Sequence, residues 1–326
     1  MKQILITGVA GMIGSHLLDA LLDRKVYRVV GVDNFSFGKK ENIAHNLDNP
    51  LFEFHPISVT DFEALKILAE NIDIIIHLAA VKKIGEADSS METLLVNNKG
   101  TEYVFELARM SGAKVLFAST SDVYGMSPDL PLREDGDLLL GPSLIKRWSY
   151  AVSKLYCEQL AYAYYKDYQV PTVILRYFGG FSPRSSFSWS GGHIPIFINA
   201  ILKDREVVVH GDGTQTRSMA FVTDLVDGTI MAMENEKAIG EIINIGNNEE
   251  MSVIDTAHLI HRIANTGNQL KLKFVPFNEV FGEYKDIMRR IPDLTKAQTI
   301  LGFRPVVSTE NAIRMTIEEI KKHTAE

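Results

Sequence analysis

Three glycines, Gly8, Gly11 and Gly14, recur every third residue in "ITGVAGMIGSH", directly after an apolar run and at the opening of a helical pattern. Glycine permits a tight turn and close backbone approach, so the amides of Met12 and Ile13 at the helix start can hold a pyrophosphate. A second apolar run, "YRVVGVD", ends at Asp33 beside Asn34. A carboxylate there would accept the hydroxyls of an adenosine ribose and repel a 2′-phosphate, which favours NAD over NADP. The alternative is a simple turn aspartate, and Lys39 and Lys40 nearby keep NADP open. Further on, "WSYAVSK" sets Tyr150 and Lys154 four residues apart, on one face of a helix with side-chain ends able to meet. By itself that pair is equally a solvated face with a snorkelling lysine.

The elements that must position these groups alternate. Apolar runs "QILITG", "YRVVGVD", "LFEFHPI", "IDIIIHLAA", "KVLFAS" and "PTVILRYF" are separated by loops and helix-like stretches such as "DFEALKILAEN" and "YAVSKLYCEQLAYAYYKDY". Strands without polar alternation, joined through helices, predict an α/β fold with a doubly wound parallel sheet covered on both faces. The rhythm breaks near residue 180, where "GGFSPRSSFSWSGGH" makes a long Gly/Ser loop. Two regions are therefore expected: a cofactor-binding domain over 1–180 and a smaller α/β substrate-binding region over 181–326, with some crossing of the chain between them.

Composition bounds the function. The chain has 326 residues, 46% hydrophobic and 23% charged, as in ordinary globular proteins. A net charge of −7 argues against a nucleic-acid partner. A single cysteine, Cys157, excludes an intrachain disulfide framework and any multi-cysteine metal site, and no metal is expected. The longest apolar run is about ten residues, against roughly 20 for a membrane span, and "MKQILITGVAG" reads as a first strand rather than a leader. A cytoplasmic protein without a membrane partner is expected.

In order along the chain, the glycine spacing, "VDNFSFG", "HLAA", "STSDVYG", "YAVSK", "RYF", "GDGTQTR" and "RRIPDLTKAQTILGFRP" resemble the extended short-chain dehydrogenase/reductase family, specifically its nucleotide-sugar epimerases, dehydratases and decarboxylases. The resemblance implies a Rossmann-type domain, NAD as cofactor and a nucleotide sugar, UDP-linked in most relatives, as substrate. It implies that Tyr150 is the catalytic base and Lys154 its helper, which also binds the nicotinamide ribose. A neighbouring ammonium and the positive ring would favour phenolate. It makes Thr120 the hydroxyl that bonds the reacting sugar, with Ser119 and Ser121 as rivals. Leu78, Ala79, Ala80, Asn97 and Tyr177 would line the cofactor site, and Lys82 matches a lysine that 4-epimerases place near the cofactor. Ser58 stands where relatives carry an adenine-binding carboxylate, with Val59 beside it at the cofactor, and Asp61 is read as a helix N-cap. Gly179 replaces an asparagine that touches the substrate diphosphate, and Arg217, Arg290, His193 and Trp189 are the candidates on the substrate side, Arg289 being read as a surface pair. Relatives pair through the helices bearing Tyr150 and Asn97, which implies a homodimer.

Subfamilies divide after a shared first step, oxidation of the sugar at C4. A dehydratase needs an Asp-Glu pair where this chain has Ser121 and Asp122. A UDP-glucuronate decarboxylase resembles this chain in "TSDVYG", in "GPSLIKRWSYAVSK" and in Arg290, but carries Glu at 122. A C4 epimerase needs the fewest groups. Epimerisation through a transient 4-keto sugar is therefore the first expectation, decarboxylation the second, and dehydration, one-way reduction or a non-catalytic NAD sensor follow.

Overall fold

The computed structural model describes residues 1–68, 70–83, 89–187, 192–281 and 286–324. Six runs form the expected strands: β1 (Lys2–Thr7), β2 (Tyr27–Val32), β3 (Phe52–His55), β4 (Ile74–His77), β5 (Lys114–Thr120) and β6 (Thr172–Tyr177). Helices α1 (Met12–Asp23), α2 (Phe62–Ile67), α3 (Ser90–Ser111) and α4 (Trp148–Tyr168) accompany them. Beyond these lie β7 (Gly180–Phe181), α5 (His193–Leu202), β8 (Val207–His210), β9 (Thr216–Ser218), β10 (Ala220–Phe221), α6 (Val222–Glu234), β11 (Ile242–Ile245), β12 (Glu250–Ser252), α7 (Val253–Ala264), β13 (Leu272–Val275), α8 (Phe277–Phe281), α9 (Thr295–Leu301) and α10 (Thr309–Thr324).

The main sheet has seven strands in the order β3-β2-β1-β4-β5-β6-β11, every pair parallel. Successive residues of each strand alternate between two cores. Ile4, Ile6, Val29, Ile74, Ile76 and Leu116 pack on one face, and Leu5, Val30, Ile75, Val115 and Phe117 on the other. Both faces are dry, which is why the strands read as unbroken apolar runs. The seventh strand, β11, comes from beyond residue 180 and pairs with β6, Ile243 opposite Leu175. The boundary at 180 therefore does not close the nucleotide-binding layer. Its short "IINI" run lies within mixed segments, so only tertiary pairing identifies it.

Strand order reverses between β1 and β4, and such a switch point opens a crevice at the carboxyl ends of the strands. The turn after β1 carries Gly8 to Gly14, and β4 leads into Leu78, Ala79 and Ala80. Helix α3 starts with Ser89 accepting from the Glu92 amide and stops at Gly112 in a left-handed conformation. It packs along α4, whose first turns face the same crevice. Among the described residues no helix is long and apolar enough to cross a membrane.

Candidate functional site

Two adjoining cavities, of about 440 and 240 Å³, occupy the crevice. Gly8, Gly11, Leu78 and Ala80 line both. Gly8 has φ +75°, and a Cβ there would lie 2.7 Å from the Ala79 nitrogen; at Gly14 it would lie 2.2 Å from the Gly8 oxygen. At Gly11 the nearest atom would be 3.2 Å away. Gly8 and Gly14 thus let the turn close against β4 and α1, while Gly11, the N-cap of α1, offers no capping side chain. The first amides of α1, with Met12 and Ile13 beside the larger cavity, keep the donors and positive dipole end that a pyrophosphate needs. This geometry fits a dinucleotide.

Asp33, Asn34, Ser58, Val59 and Ala79 line the smaller cavity. The Asp33 carboxylate accepts from the Ala10 amide at 3.0 Å and the Phe35 amide at 2.8 Å, which fixes its direction and leaves lone pairs for ribose hydroxyls. Ser58 accepts from the Thr60 amide at 3.2 Å, and Asp61 caps α2 by accepting from the Ala64 amide at 3.1 Å, as its reading as an N-cap requires. Asn97 stands behind the wall instead of lining either cavity. Its amide side chain accepts from the Val81 amide at 2.7 Å and donates to the Val81 carbonyl and the Ser153 hydroxyl, each at 3.0 Å. It splints the loop after β4 to α3 and α4.

The larger cavity brings Thr120, Asp122, Tyr150 and Lys154 together with Lys82 and two arginines. Thr120 ends β5, and its hydroxyl accepts from the Asp122 amide at 3.2 Å. Ser119 also lines the cavity, but its hydroxyl donates to the Glu158 carboxylate, which is held by Arg176 through two bonds of 2.9 and 2.8 Å. Ser121 lies buried in the turn that follows. Tyr150 is in the first turn of α4 and Lys154 one turn on. Without the positive nicotinamide ring that the resemblance adds beside it, the Tyr150 phenol keeps its proton. Burial raises the Tyr150 phenol above its ordinary value and the Asp122 charge adds to this, against a lowering hydrogen bond from Thr120. Lys154 donates to the Ala118 carbonyl at 2.7 Å, and burial lowers it from 10.5 to about 8.

Asp122 is the centre of charge. Arg290 Nη1 lies 2.7 Å from its Oδ1, Lys82 Nζ 3.1 Å from its Oδ2, and Arg147 Nη1 3.9 Å from its Oδ1. Burial alone would raise this carboxyl, but Arg290, Lys82 and Arg147 hold it well below the ordinary carboxylate range. Lys82 Nζ also stands 5.2 Å from the centre of the Tyr150 ring. Among the described residues, Arg290, Lys82 and Arg147 thus converge on this one carboxylate.

At the other end of the larger cavity, Arg217 donates to both oxygens of Asp286 at 2.9 Å and to the Thr216 and Ile287 carbonyls at 2.7 Å. An anion there would meet a cation already sharing its fork with a carboxylate. His193 opens α5 with its Nε2 buried and without a hydrogen-bond partner among the described residues, and burial lowers it from 6.5 to about 3. Gly179 lines the cavity, and a Cβ there would lie 2.5 Å from the Met219 sulfur, so Met219 fills the place of the missing asparagine. Tyr177 lines the cavity while its hydroxyl bonds Thr229 at 2.6 Å. Arg289 forms an exposed pair with Glu250, and Trp189 lies outside the described residues.

Arg147 has no role in the sequence reading, although it precedes Tyr150 by three residues and so shares its side of the chain entering α4. Asp286 and the Glu158–Arg176 pair carry no sequence signal, because their partners come from distant segments. Among the described residues no cluster of three or more His, Cys, Asp or Glu side chains could hold a metal ion.

Comparison with known proteins agrees with this geometry. A curated relative, the UDP-N-acetyl-alpha-D-glucosaminuronate decarboxylase of Bacillus cytotoxicus, is 39% identical over 322 residues, 97% of each chain. UDP-glucuronic acid decarboxylase 1 of Xenopus tropicalis is 33% identical, over 98% of this chain and 72% of that one. Among solved structures, UDP-glucuronic acid 4-epimerase of Bacillus cereus, in complex with UDP-glucuronic acid and NAD, superposes with a TM-score of 0.88 at 32% identity, covering 98% and 99% of the two chains. Residues 4–246 match the model of the NAD dependent epimerase/dehydratase family, and the chain belongs to that family, with NAD as its cofactor.

Proposed function

We propose that the protein decarboxylates a UDP-linked uronic acid. The observation that carries this reading is the buried patch around Asp122, where Arg290, Lys82 and Arg147 face one carboxylate beside Tyr150. The guanidinium forks of Arg147 and Arg290 match the two oxygens of a sugar carboxylate.

The Gly8–Gly14 turn and Asp33 would hold NAD, which would supply reversible hydride transfer at the sugar C4. Tyr150 receives the C4 hydroxyl proton, Thr120 orients that hydroxyl, and the Lys154 ammonium helps the phenol lose its proton. A 4-keto uronate is a β-keto acid, and CO2 leaves from it with the C5–C6 electron pair passing into an enolate. Asp122 gives that loss a local cause. Of the charges around a bound sugar carboxylate only Asp122 opposes it, and departure as neutral CO2 removes that opposition while the cations stay paired with Asp122. An epimerase has no use for this repulsion. The curated relatives named above, both decarboxylases, support the same order.

C4 epimerisation of the same uronate is the second reading and was the first expectation from the sequence. It is favoured by the likeness to a UDP-glucuronic acid 4-epimerase and by Lys82 beside Tyr150. Incubation of the protein with NAD and, separately, UDP-glucuronate or UDP-N-acetylglucosaminuronate separates the two. Loss of the mass of CO2 is expected; a product of unchanged mass with an inverted C4 proton signal would establish the epimerase instead.

A further inference from the structure

Decarboxylation leaves an enolate whose C5 must take a proton, and among the described residues the groups that could give one are few. Asp122 is held ionised by the three cations around it, so it has no proton to donate. Arg147 and Arg290 are guanidinium groups, which do not release protons near neutral pH. Lys154 is engaged on the Ala118 carbonyl, and His193 stands by Arg217 and Asp286 at the other end of the cavity. Thr120 and Ser121 carry only weakly acidic hydroxyls. Tyr150 is committed to the oxygen on C4.

We propose that Lys82 is a further catalytic residue, the acid that protonates C5 after CO2 has left. Its Nζ lies 3.1 Å from Asp122 and 5.2 Å from the centre of the Tyr150 ring, so it borders both the place assigned to the departing carboxylate and the place assigned to C4. Its side chain is 36% exposed, whereas those of Asp122 and Arg147 are almost wholly buried. Lys82 can therefore exchange protons with solvent while its charge is held in position by Asp122. The step balances. The C5–C6 bond breaks, its electrons pass into the enolate, CO2 departs, C5 takes the proton from Nζ as the C4 carbonyl re-forms, and the amine regains a proton from water.

This inference rests on the decarboxylase reading, and the test separates the two. Wild-type protein with NAD and UDP-glucuronate or UDP-N-acetylglucosaminuronate in D2O is expected to release CO2 and to place one deuteron at C5 in a single configuration. Lys82→Arg keeps a cation on Asp122 but removes the acid. Its pentose formation should fall at least tenfold, with 4-keto pentose leaking and deuterium scrambled at C5. Lys82→Ala should regain pentose formation with added methylammonium, a rescue that a purely structural role would not give. A Lys82→Arg variant that forms pentose at the wild-type rate with one C5 configuration, or a Lys82→Ala variant untouched by amines, overturns the proposal. If the wild-type protein releases no CO2 from either substrate, the decarboxylase reading falls and takes this one with it; CO2 release indifferent to Lys82 removes only this one.

Discussion

Arg290 Nη1 and Asp122 Oδ1 meet at 2.7 Å, joining the segment before α9 to the turn after β5. The strand-like contacts between Leu132 and Ile291 to Asp293 hold that segment in place. Replacing Arg290 by Met should lower kcat/KM for a UDP-uronate at least 100-fold, about 2.7 kcal/mol, with bound NAD unchanged. The variant should also melt earlier, because a buried carboxylate loses its nearest cation. Asp122→Asn should slow CO2 release more than C4 oxidation, so that reduced cofactor and 4-keto sugar accumulate in single turnovers. Unaltered partitioning would remove Asp122 from the chemistry.

Tyr150→Phe should cost activity by a factor of roughly 10² to 10⁴, the usual range for an acid–base group, while NAD affinity stays within about twofold of wild type. Burial lowers Lys154 to about 8, so its ammonium form is lost as pH rises through that value. Activity should fall above about pH 8 on this account. Lys154→Arg keeps its charge throughout, and in whatever activity it retains that alkaline limb should move upward. A limb that stays in place would assign it to another group.

The three glycines should not be equivalent. Gly14→Ala and Gly8→Ala meet backbone atoms at 2.2 and 2.7 Å, and Gly8 also has a positive φ. Each should destabilise the fold by about 1–3 kcal/mol and abolish NAD binding. Gly11→Ala, with its nearest atom at 3.2 Å, should fold normally and weaken only the cofactor. Calorimetric melting with and without NAD reads both effects.

Three histidines, His77 and His193 buried and His16 partly buried, should make the fold acid-sensitive. His16, His77 and His193 are lowered from 6.5 to about 4, 3 and 3, with burial as the main cause. Between those values and 6.5 the unfolded chain binds protons that the folded chain refuses, so stability is lost as pH falls through that window. The melting temperature should drop steadily from pH 6.5 towards 4.5. His193→Leu should make the slope shallower, and an identical slope would exclude His193 from it.

Helices α3 and α4 leave Met91, Leu95, Val152 and Tyr156 exposed at four-residue spacing. Two such rows suit a second copy of this chain, paired helix to helix. Light scattering should give the mass of a dimer, and Leu95→Arg with Tyr156→Arg that of a folded monomer. A wild-type monomer would leave these rows without the partner inferred from family resemblance.

Much of the site was already present in local sequence. Gly8, Gly11 and Gly14 with the strand before and the helix after them define a phosphate turn, because turn geometry depends on neighbours in the chain. The six apolar runs define a parallel sheet, because burial on both faces erases polar alternation. Tyr150 and Lys154 share a face by helical period alone. What local sequence does not contain is the pairing of distant segments. β11 joins β6 from beyond the long loop, Asn97 turns from the cofactor to the Val81 backbone, and Lys82, Arg147 and Arg290 converge on Asp122 from three separate segments. Helix period and strand alternation act over a few residues, whereas Coulomb interactions depend on where the packed chain brings charges and on how much water it removes around them. For that reason the sequence determined the glycine turn and the shared face of Tyr150 and Lys154, whereas the convergence of Lys82, Arg147 and Arg290 on Asp122 was decided only by the tertiary structure.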